Sequence, residues 1–282
     1  MELLNGKVLS DIVKDELKTV VTNMKKCGQI VRLAVIQVGS DSASSVYVNN
    51  KKKACEYIGI ESVVYNLSEF IDQDTLVDMV EHLNKDESVN GILVQLPLPK
   101  HLNEKEILSK IHPSKDVDGF HEYNVGNLVL GNQGIVSCTP SGIMKILQHY
   151  NIEVAGKECV VVGRSNIVGK PMALLLLRND GTVTVCHSKT KNLKEICKRA
   201  DILVCAIGKP KFFNKDYIKD GAVVIDVGIH RQENGKLCGD VDFEDVKDIV
   251  SAITPVPNGV GSMTVAMLMD NCVKVAQNQY AR

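Results

Sequence analysis

The sequence predicts an α/β protein with two domains, the second of which is a doubly wound, Rossmann-like sheet. Short runs of β-branched residues alternate with helical patterns along most of the chain, which is typical of parallel sheets. The strongest signal is V-V-V-G-R-S-N-I-V-G-K-P at residues 160–171, where a strand passes through a tight turn into a helix. Pro171 falls in the first turn of that helix, where its missing N–H costs nothing.

Composition restricts the class of protein. The 282 residues, 44% of them hydrophobic and 24% charged, provide enough core for two modest domains. A net charge of -1 argues against a nucleic-acid partner. We find no signal-peptide pattern and no apolar run of membrane-spanning length, so we expect a cytoplasmic protein. Nine cysteines without a C-x-x-C pair or a Cys/His cluster predict reduced core thiols and no metal site.

Residues 1 to about 120 form the first alternating unit, with one helix, at 43–58, that carries reactive side chains. Tyr47, Lys51, Cys55 and Ile58 share one stripe of that helix. We therefore expect Lys51 to be partly desolvated, which lowers a lysine pKa and makes the amine usable as a base. A snorkelling surface lysine beside a core tyrosine is the alternative. The other elements predicted in this unit are helices at 9–24, 75–83 and 104–111, and strands at 33–38, 62–67 and from residue 91.

Two further polar positions follow in the same unit. The strand that begins at Gly91 runs into Gln95 and two prolines, so an amide emerges where the chain is stiff. Asp116, Asp118 and Gly119 lie in P-S-K-D-V-D-G-F-H, where ordinary turn chemistry is the alternative to a functional carboxylate. The segment is not a calcium loop, because the remaining ligands at EF-hand spacing are missing.

The second domain follows a linking helix at 139–149, and ligands of such sheets bind beyond the carboxyl ends of the strands. After the strand at 160, free helical N–H groups suit a phosphate, and Gly163 and Gly169 allow close backbone approach. Arg164 and Ser165 are placed to grip that phosphate. A strand-to-helix turn without a ligand is the alternative. Further strands are predicted at 182–186, 201–207 and 222–227.

The end of the strand at 182–186 indicates which dinucleotide is bound. An acidic residue there favours the free ribose hydroxyl of NAD. His187, Ser188 and Lys189 provide no acid, and with Arg164 they favour a 2′-phosphate, so we predict NADP, with NAD as the alternative. The Pro/Gly-rich loop at 253–264 precedes a helical pattern at 265–277, and such a loop can cover a ligand or act as a stiff connection.

Eight blocks of the sequence occur in a family-specific order. They are Y-V-N-N-K-K-K-A-C, G-I-L-V-Q-L-P-L-P, P-S-K-D-V-D-G-F-H, C-T-P-S-G, V-V-V-G-R-S-N-I-V-G-K-P, T-V-T-V-C-H-S, G-D-V-D-F and T-P-V-P-N-G-V-G-S-M-T. In this order they resemble the bifunctional methylenetetrahydrofolate dehydrogenase/methenyltetrahydrofolate cyclohydrolase (FolD) family over nearly the whole chain. The usual last loop of the family is P-G-G-V-G-P-M-T, whereas this chain has Asn258 and Ser262 in place of a glycine and the proline. Because Asn tolerates positive φ, we expect the loop to keep its shape.

The resemblance implies NADP-dependent oxidation of 5,10-methylenetetrahydrofolate and hydrolysis of the methenyl product to 10-formyltetrahydrofolate. It implies a folate-binding catalytic domain at 1–120, an NADP-binding domain at 121–264 and a final helix at 265–282 that packs back on the first domain. It also implies a cleft between the domains and a homodimer formed through the nucleotide-binding domains.

The resemblance further assigns roles to the candidate residues. Lys51 activates water for the hydrolysis and Gln95 holds its amine, while Asp118 accepts hydrogen bonds from the pterin and Tyr47 lines its pocket. The remaining assignments are Pro257 and Gly261 for the substrate, and Gly163, Arg164, Ser165, Ser188, Ile229 and Thr264 for the cofactor.

Two other classes of protein fit parts of the pattern. A short-chain dehydrogenase also uses Tyr-x-x-x-Lys, but there the pair follows the glycine loop, whereas Tyr47 and Lys51 precede Gly163 by more than a hundred positions. A non-catalytic nucleotide sensor keeps the fold, but it has no need of Lys51, Gln95 and Asp118 together.

Overall fold

The computed structural model describes residues 1–39 and 42–281, with the side chains of residues 42–47 left out. The chain divides into two compact units. We call Met1–Ser10 with Ser137–Thr264 the large-sheet unit, and Asp11–Val136 with Val265–Arg282 the small-sheet unit. The sequence predicts a boundary at residue 120, whereas residues 121–136 belong to the small-sheet unit and residues 1–10 to the large-sheet unit.

The strands are short. Those predicted at 33–38, 62–67 and 182–186 are confirmed to within one residue. Four others have two residues each, too few for a periodic pattern, and the sequence prediction misses them. The strands are β1 (Glu2–Leu3), β2 (Arg32–Val38), β3 (Glu61–Leu67), β4 (Gly91–Val94), β5 (Glu158–Val162), β6 (Thr182–Cys186), β7 (Ile202–Cys205), β8 (Val223–Asp226), β9 (His230–Arg231), β10 (Leu237–Cys238) and β11 (Ala252–Ile253).

The predicted helices are confirmed, although the last one begins at Val260 and not at residue 265. Two helices are additional, the short Phe243–Val246 and the longer Glu122–Leu130. The sequence of the longer one, E-Y-N-V-G-N-L-V-L, has weak helix propensity, but the His121 ring accepts a hydrogen bond at its start and Gly131 ends it with φ 75°. None of the helices in the described residues combines the length and apolar character that crossing a membrane requires. The helices are α1 (Gly6–Lys26), α2 (Ser42–Ile58), α3 (Gln73–Lys85), α4 (Glu104–Lys110), α5 (Glu122–Leu130), α6 (Cys138–His149), α7 (Gly169–Arg178), α8 (Leu193–Cys197), α9 (Phe243–Val246) and α10 (Val260–Tyr280), with a 3₁₀ turn at Lys215–Tyr217.

The large-sheet unit contains a six-stranded sheet in the order β1-β11-β8-β7-β5-β6. All of its strand pairs are parallel, which confirms the predicted doubly wound sheet. β6 and β7 pair with opposite sides of β5, so the strand order reverses there. Ligands of open α/β sheets bind at such a reversal, and the loops after β5 and β7 flank it. Val160, Leu203 and Phe213 belong to the buried core of this sheet.

The small-sheet unit contains three parallel strands in the order β3-β2-β4. Its core includes Ile36 and Ile92, which are fully buried. The last part of α10 is attached to this sheet, because the side-chain amides of Gln279 and Asn90 hydrogen-bond each other at 2.8 Å and Gln279 Nε2 also donates to the Asn90 carbonyl at 2.9 Å. Residues beyond Thr264 are therefore held by the N-terminal half of the chain.

Candidate active site

Lys51 and Gln95 meet in the small-sheet unit. Lys51 lies on α2, and Gln95 follows β4, where its backbone N–H donates to the Ile36 carbonyl at 2.8 Å. Lys51 Nζ donates to Gln95 Oε1 at 2.9 Å. Gln95 Nε2 donates to the Leu96 carbonyl at 2.6 Å, which fixes the amide so that its oxygen faces the amine. The strand end thus aims one acceptor at the lysine, and both side chains stay half-buried.

Asp118 carries the perturbed carboxylate of this unit. Burial raises the pKa of its carboxyl to about 6, against the positive charge of Lys51, which lowers it, and with a further contribution from Asp116. The side chain is half-buried and keeps some contact with solvent. No described residue donates a hydrogen bond to its carboxylate. A partly desolvated acceptor beside a lysine is suited to a ligand that brings its own N–H donors.

Asp116, in contrast, has a carboxylate that is hydrogen-bonded by the surrounding chain, and its role is structural. The residue is 2% exposed, and its carboxylate accepts hydrogen bonds from Gly119 N at 3.0 Å, His121 N at 2.9 Å and Asn124 Nδ2 at 2.9 Å. Turn chemistry is therefore the correct interpretation for Asp116. From the other side, the buried Asn271 of α10 donates to the Val117 carbonyl at 2.9 Å. Asp118 is held between these two sets of bonds.

Tyr47 lies on the same helix, one turn before Lys51. The predicted stripe is present in part, because Cys55 and Ile58 are fully buried as expected. The side chain of Tyr47 lies outside the described residues, so its contact with a pterin stays a prediction.

The loop after β5 in the large-sheet unit is tightly packed against other backbone. A Cβ on Gly163, which has φ 137°, would lie 2.2 Å from the Ala206 carbonyl oxygen. A Cβ on Gly169 would lie 2.2 Å from the Gly163 oxygen. Both glycines are required by the turn itself, and Arg164, between them, is exposed.

Ser165 corrects the prediction that the first helical N–H groups of α7 are free. Its Oγ accepts hydrogen bonds from Val168 N at 3.1 Å and Gly169 N at 3.3 Å, and its carbonyl accepts one from Lys170 N at 3.0 Å. Ser165 lies three residues before Val168, the N-cap residue of α7, and its hydrogen bonds hold the turn that leads into the helix. The Ser165 hydroxyl can still donate its own hydrogen. An anion at this turn would therefore meet this O–H and not the two backbone N–H groups that Ser165 binds.

Ser188 is exposed in the turn after β6, next to the exposed Lys189. The turn is closed by hydrogen bonds from His187 N to Thr190 Oγ1 at 2.9 Å and from Lys189 N to His187 Nδ1 at 3.2 Å. The side chains that face solvent here are a hydroxyl and an ammonium, without a carboxylate in the turn.

The loop before α10 and the first turns of that helix, which begins at Val260, carry several predicted residues of the large-sheet unit. Asn258 adopts φ 75°, as expected for an Asn that replaces a glycine, and its carbonyl accepts a hydrogen bond from Lys7 N at 3.0 Å. A Cβ on Gly261 would lie 2.7 Å from Ile229 Cδ1, so these two residues are in contact. Thr264 Oγ1 hydrogen-bonds Thr139 Oγ1 at 2.9 Å. Pro257 is exposed in the same loop.

The sequence prediction misses the buried polar residues that support these loops. In the small-sheet unit they are Asn124 and Asn271. In the large-sheet unit they are Asp226 and Asp240, which are 4% and 0% exposed. Asp240 stands in the G-D-V-D-F block, so a signal for it existed in the sequence, but no local pattern indicates what it binds.

Comparison with known proteins gives matches to both parts of the chain. The family model described as tetrahydrofolate dehydrogenase/cyclohydrolase, catalytic domain, matches residues 4–118. The model for the NAD(P)-binding domain of the same family matches residues 137–280. A bifunctional protein FolD from Lachnoclostridium phytofermentans is 63% identical over 271 residues, which are 96% of this chain and 96% of the relative.

Solved structures give the same result. The bifunctional FolD methylenetetrahydrofolate dehydrogenase/cyclohydrolase from Campylobacter jejuni has a TM-score of 0.97 and 52% identity over 99% of both chains. The Trypanosoma brucei enzyme, complexed with NADP cofactor and inhibitor, has a TM-score of 0.95 and 36% identity over 99% of this chain and 98% of that one. With most of its length covered by the two family models, the chain belongs to the tetrahydrofolate dehydrogenase/cyclohydrolase family.

Proposed function

We propose that this chain oxidises 5,10-methylenetetrahydrofolate with NADP and then hydrolyses the methenyl product to 10-formyltetrahydrofolate. The small-sheet unit is the folate-binding catalytic part, and the large-sheet unit is the NADP-binding part. The observation that carries the proposal is the bond between Lys51 and Gln95, with the carboxylate of Asp118 within the electrostatic influence of the lysine.

The hydrolysis needs a group that removes a proton from water as the water adds to the methenyl carbon. In its neutral form, the Lys51 amine has one lone pair that can accept this proton. Gln95 accepts one N–H of the amine at 2.9 Å and thereby orients the lone pair. The bond between this carbon and N5 then breaks, N5 takes the proton from the Lys51 ammonium, and the hydroxyl of the adduct loses its proton as the formyl C=O forms, so that one proton is released overall. The catalytic residues are therefore Lys51 as the base and Gln95 as the group that holds it.

The pterin ring presents a 2-amino group and a neighbouring ring N–H, and a carboxylate matches two such donors. Asp118 is the acceptor we assign to them, because its oxygens receive no hydrogen bond from the described residues. The pKa of about 6 keeps it ionised at neutral pH and gives it a strong preference for a donor. Tyr47 lines the pterin pocket, Pro257 contacts the substrate from the loop before α10, and Gly261 contacts it from the first turn of that helix.

The residues present fit NADP. The turn after β6 offers Ser188 without an acid that would repel a 2′-phosphate, and Gly163 keeps the turn after β5 tight. Arg164 and the Ser165 hydroxyl supply a cation and a donor for the phosphates, and Ile229 and Thr264 contact the nicotinamide end. When bound, NADP supplies the hydride acceptor. The product cation is resonance-stabilised, so the protein needs to align the substrate and not to provide an acid.

We further propose a homodimer formed through the large-sheet unit, in the cytoplasm. β6 is the last strand of its sheet, and Val185 on β6 and Leu177 on α7 are 40% and 59% exposed. An edge strand with exposed apolar side chains is suited to a second copy. The structure shows no disulfide among the cysteines of the described residues, as a reducing compartment requires. The molar mass in solution tests the dimer.

The two activities can be measured separately, which makes the test sharp. We expect the purified chain to reduce NADP with methylenetetrahydrofolate and to hydrolyse added methenyltetrahydrofolate without any cofactor. Lys51→Met should lower the hydrolysis by about 100-fold or more and retain folding and NADP binding. The matched control is Lys52→Met, because Lys52 is exposed and only approaches Glu56 at 4.0 Å.

Unchanged hydrolysis in Lys51→Met, with methenyltetrahydrofolate supplied directly, would remove Lys51 from the mechanism. Failure of the unmodified chain to reduce either NADP or NAD would refute the dehydrogenase and favour a nucleotide sensor. Loss of hydrolysis in the Lys52→Met control would show that the helix, and not the amine of Lys51, is responsible.

A further inference from the structure

Asp240 is a fully buried carboxylate that holds the loop after β7. Its Oδ2 accepts hydrogen bonds from Ile207 N at 2.7 Å and Gly208 N at 3.0 Å, and its Oδ1 accepts one from Lys209 N at 2.9 Å. Three consecutive backbone N–H groups thus converge on one side chain. The loop they belong to flanks the reversal of strand order at β5, where ligands of open α/β sheets bind.

The same carboxylate also holds the segment after β8. Asp240 Oδ1 hydrogen-bonds His230 Nε2 at 2.8 Å, and the His230 side chain is 21% exposed. Asp226, the last residue of β8, accepts hydrogen bonds from Gly228 N at 3.0 Å and Asp240 N at 2.8 Å through its Oδ1. Ile229 therefore lies between two anchored neighbours, with the N–H of Gly228 bound on one side and the ring of His230 on the other.

The backbone packs so closely around the two carboxylates that the neighbouring glycines have no room for a side chain. A Cβ on Gly239 would lie 1.8 Å from Asp226 Oδ2, and a Cβ on Gly228 would lie 2.4 Å from Asp240 Oδ1. Asp226 also accepts Val241 N at 3.0 Å through Oδ2. The carboxylate oxygens are occupied by N–H donors, and the described residues contain no group of three His, Cys, Asp or Glu that could hold a metal ion. The network is thus a clamp between backbone segments.

Ile229 is an apolar side chain that is 42% exposed and yet held on both sides. Its contact with Gly261 extends the clamp to the first turn of α10. The hydrogen-bonded carboxylates fix the backbone on both sides of Ile229, although a side chain this exposed adds little buried apolar area to the fold. A fixed and exposed apolar side chain is suited to a ligand that packs against it.

We propose that Asp240, Asp226 and His230 are positioning residues that hold Ile229 and the 207–209 loop in place for the nicotinamide end of NADP. The inference rests on the proposed function, because Ile229 is the predicted nicotinamide contact. The network touches no folate-binding candidate of the small-sheet unit in its own bonds. Its hydrogen bonds do not involve Gly261, the substrate candidate that Ile229 contacts. It therefore acts on cofactor binding and hydride transfer, and the hydrolysis, which needs no NADP, should change only by what reaches Gly261 through Ile229.

The test uses the full-length chain and three measurements: the dissociation constant of NADPH from its fluorescence, the dehydrogenase rate, and the hydrolysis of added methenyltetrahydrofolate. His230→Leu removes the donor to Asp240, and we expect the NADPH dissociation constant to rise and the dehydrogenase kcat to fall, each by about tenfold. The KM for methylenetetrahydrofolate and the hydrolysis rate should stay within about twofold. His230→Gln keeps an N–H donor near the same position and should restore most of the loss.

Asp240→Asn replaces one acceptor by an NH₂ group that faces N–H donors, and it should have a larger effect than His230→Leu if it folds. Asp216→Asn is the matched control, because Asp216 is an exposed carboxylate of the same unit, paired with Lys194 at 2.8 Å. Equal loss of both activities in His230→Leu would mean a general folding role and overturn the proposal. NADPH binding and dehydrogenase rates equal to those of the unmodified chain would overturn it as well. An inactive unmodified chain would instead refute the proposed function.

Discussion

Asp118 offers a test in which stability and function change in opposite directions. Its carboxyl has a pKa of about 6 in the folded chain, against an ordinary value of 3.8, because burial disfavours the ionised form. The folded state therefore binds this proton more tightly than the unfolded state does. Ionised Asp118 destabilises the fold at any pH above about 6, and the cost disappears as the pH falls below about 4.

Asp118→Asn removes that cost. A change in pKa from 3.8 to about 6 corresponds to about 3 kcal/mol, an upper value because the carboxylate keeps some contact with water. We expect the variant to unfold at higher urea than the unmodified chain at pH 8. Its advantage should shrink to roughly half at pH 5, where the unmodified carboxyl is largely protonated. The KM for methylenetetrahydrofolate should rise at the same time, because an amide offers one acceptor where the pterin needs two.

Asp116→Asn is the matched control two residues earlier. Its carboxylate accepts three hydrogen bonds, so the substitution leaves buried N–H donors facing an NH₂ group and should lower the free energy of unfolding by about 1 to 3 kcal/mol. A lower stability of Asp118→Asn at pH 8, or an advantage that does not change between pH 5 and pH 8, would refute the assignment of Asp118 as a strained, functional carboxylate.

Two further predictions follow from charges of the small-sheet unit. If Asp118 binds the pterin as a carboxylate, the dissociation constant of a non-reactive folate analogue should be constant above pH 7 and rise about tenfold by pH 5, and a flat profile would contradict this. Lys115, which is 8% exposed, donates to the Leu83 and Asp86 carbonyls at 2.9 and 2.7 Å near the end of α3. Lys115→Met should cost about 1 to 3 kcal/mol in urea unfolding without changing either KM, and an unchanged urea midpoint would show that these bonds are not needed.

The sequence predicts the strands and helices that are long enough to show a periodic pattern, and the polar side chains that lie on them or directly after them. Lys51 and Gln95 are 44 residues apart, yet each follows from a local pattern, and the structure brings them to 2.9 Å. β1 and β11, which pair with each other, have only two residues each, so neither leaves a periodic signal in the sequence. The hydrogen bonds of Ser165 are also between neighbours in the sequence. The sequence prediction misses them because a phosphate and a serine hydroxyl compete for the same N–H groups.

The residues that cannot be predicted are those whose partners are distant in the chain. Asn271 binds the carbonyl of Val117, 154 residues away, and Asp240 binds N–H groups more than 30 residues away. Only the folded structure shows that such a buried polar side chain has hydrogen-bond partners. The number of donors then separates the two uses of a buried aspartate. Asp116 and Asp240 are each bound by at least three donors and fix a loop, whereas Asp118 receives none from the described residues and is the carboxylate that we propose for a ligand.

Each of these loops is supported by a carboxylate and not by an apolar residue, and the reason lies in the backbone N–H groups of the loop. Backbone N–H groups that converge on one point cannot be satisfied by a methyl group, and water in their place would leave the loop mobile. A fully bonded carboxylate closes the loop in one shape. In each unit, the side chain so fixed is the one for which we propose a ligand: Asp118 beside Asp116 for the pterin, and Ile229 beside Asp240 for the nicotinamide. Rigid support behind an exposed or strained group is the arrangement that positioning of two reacting rings requires.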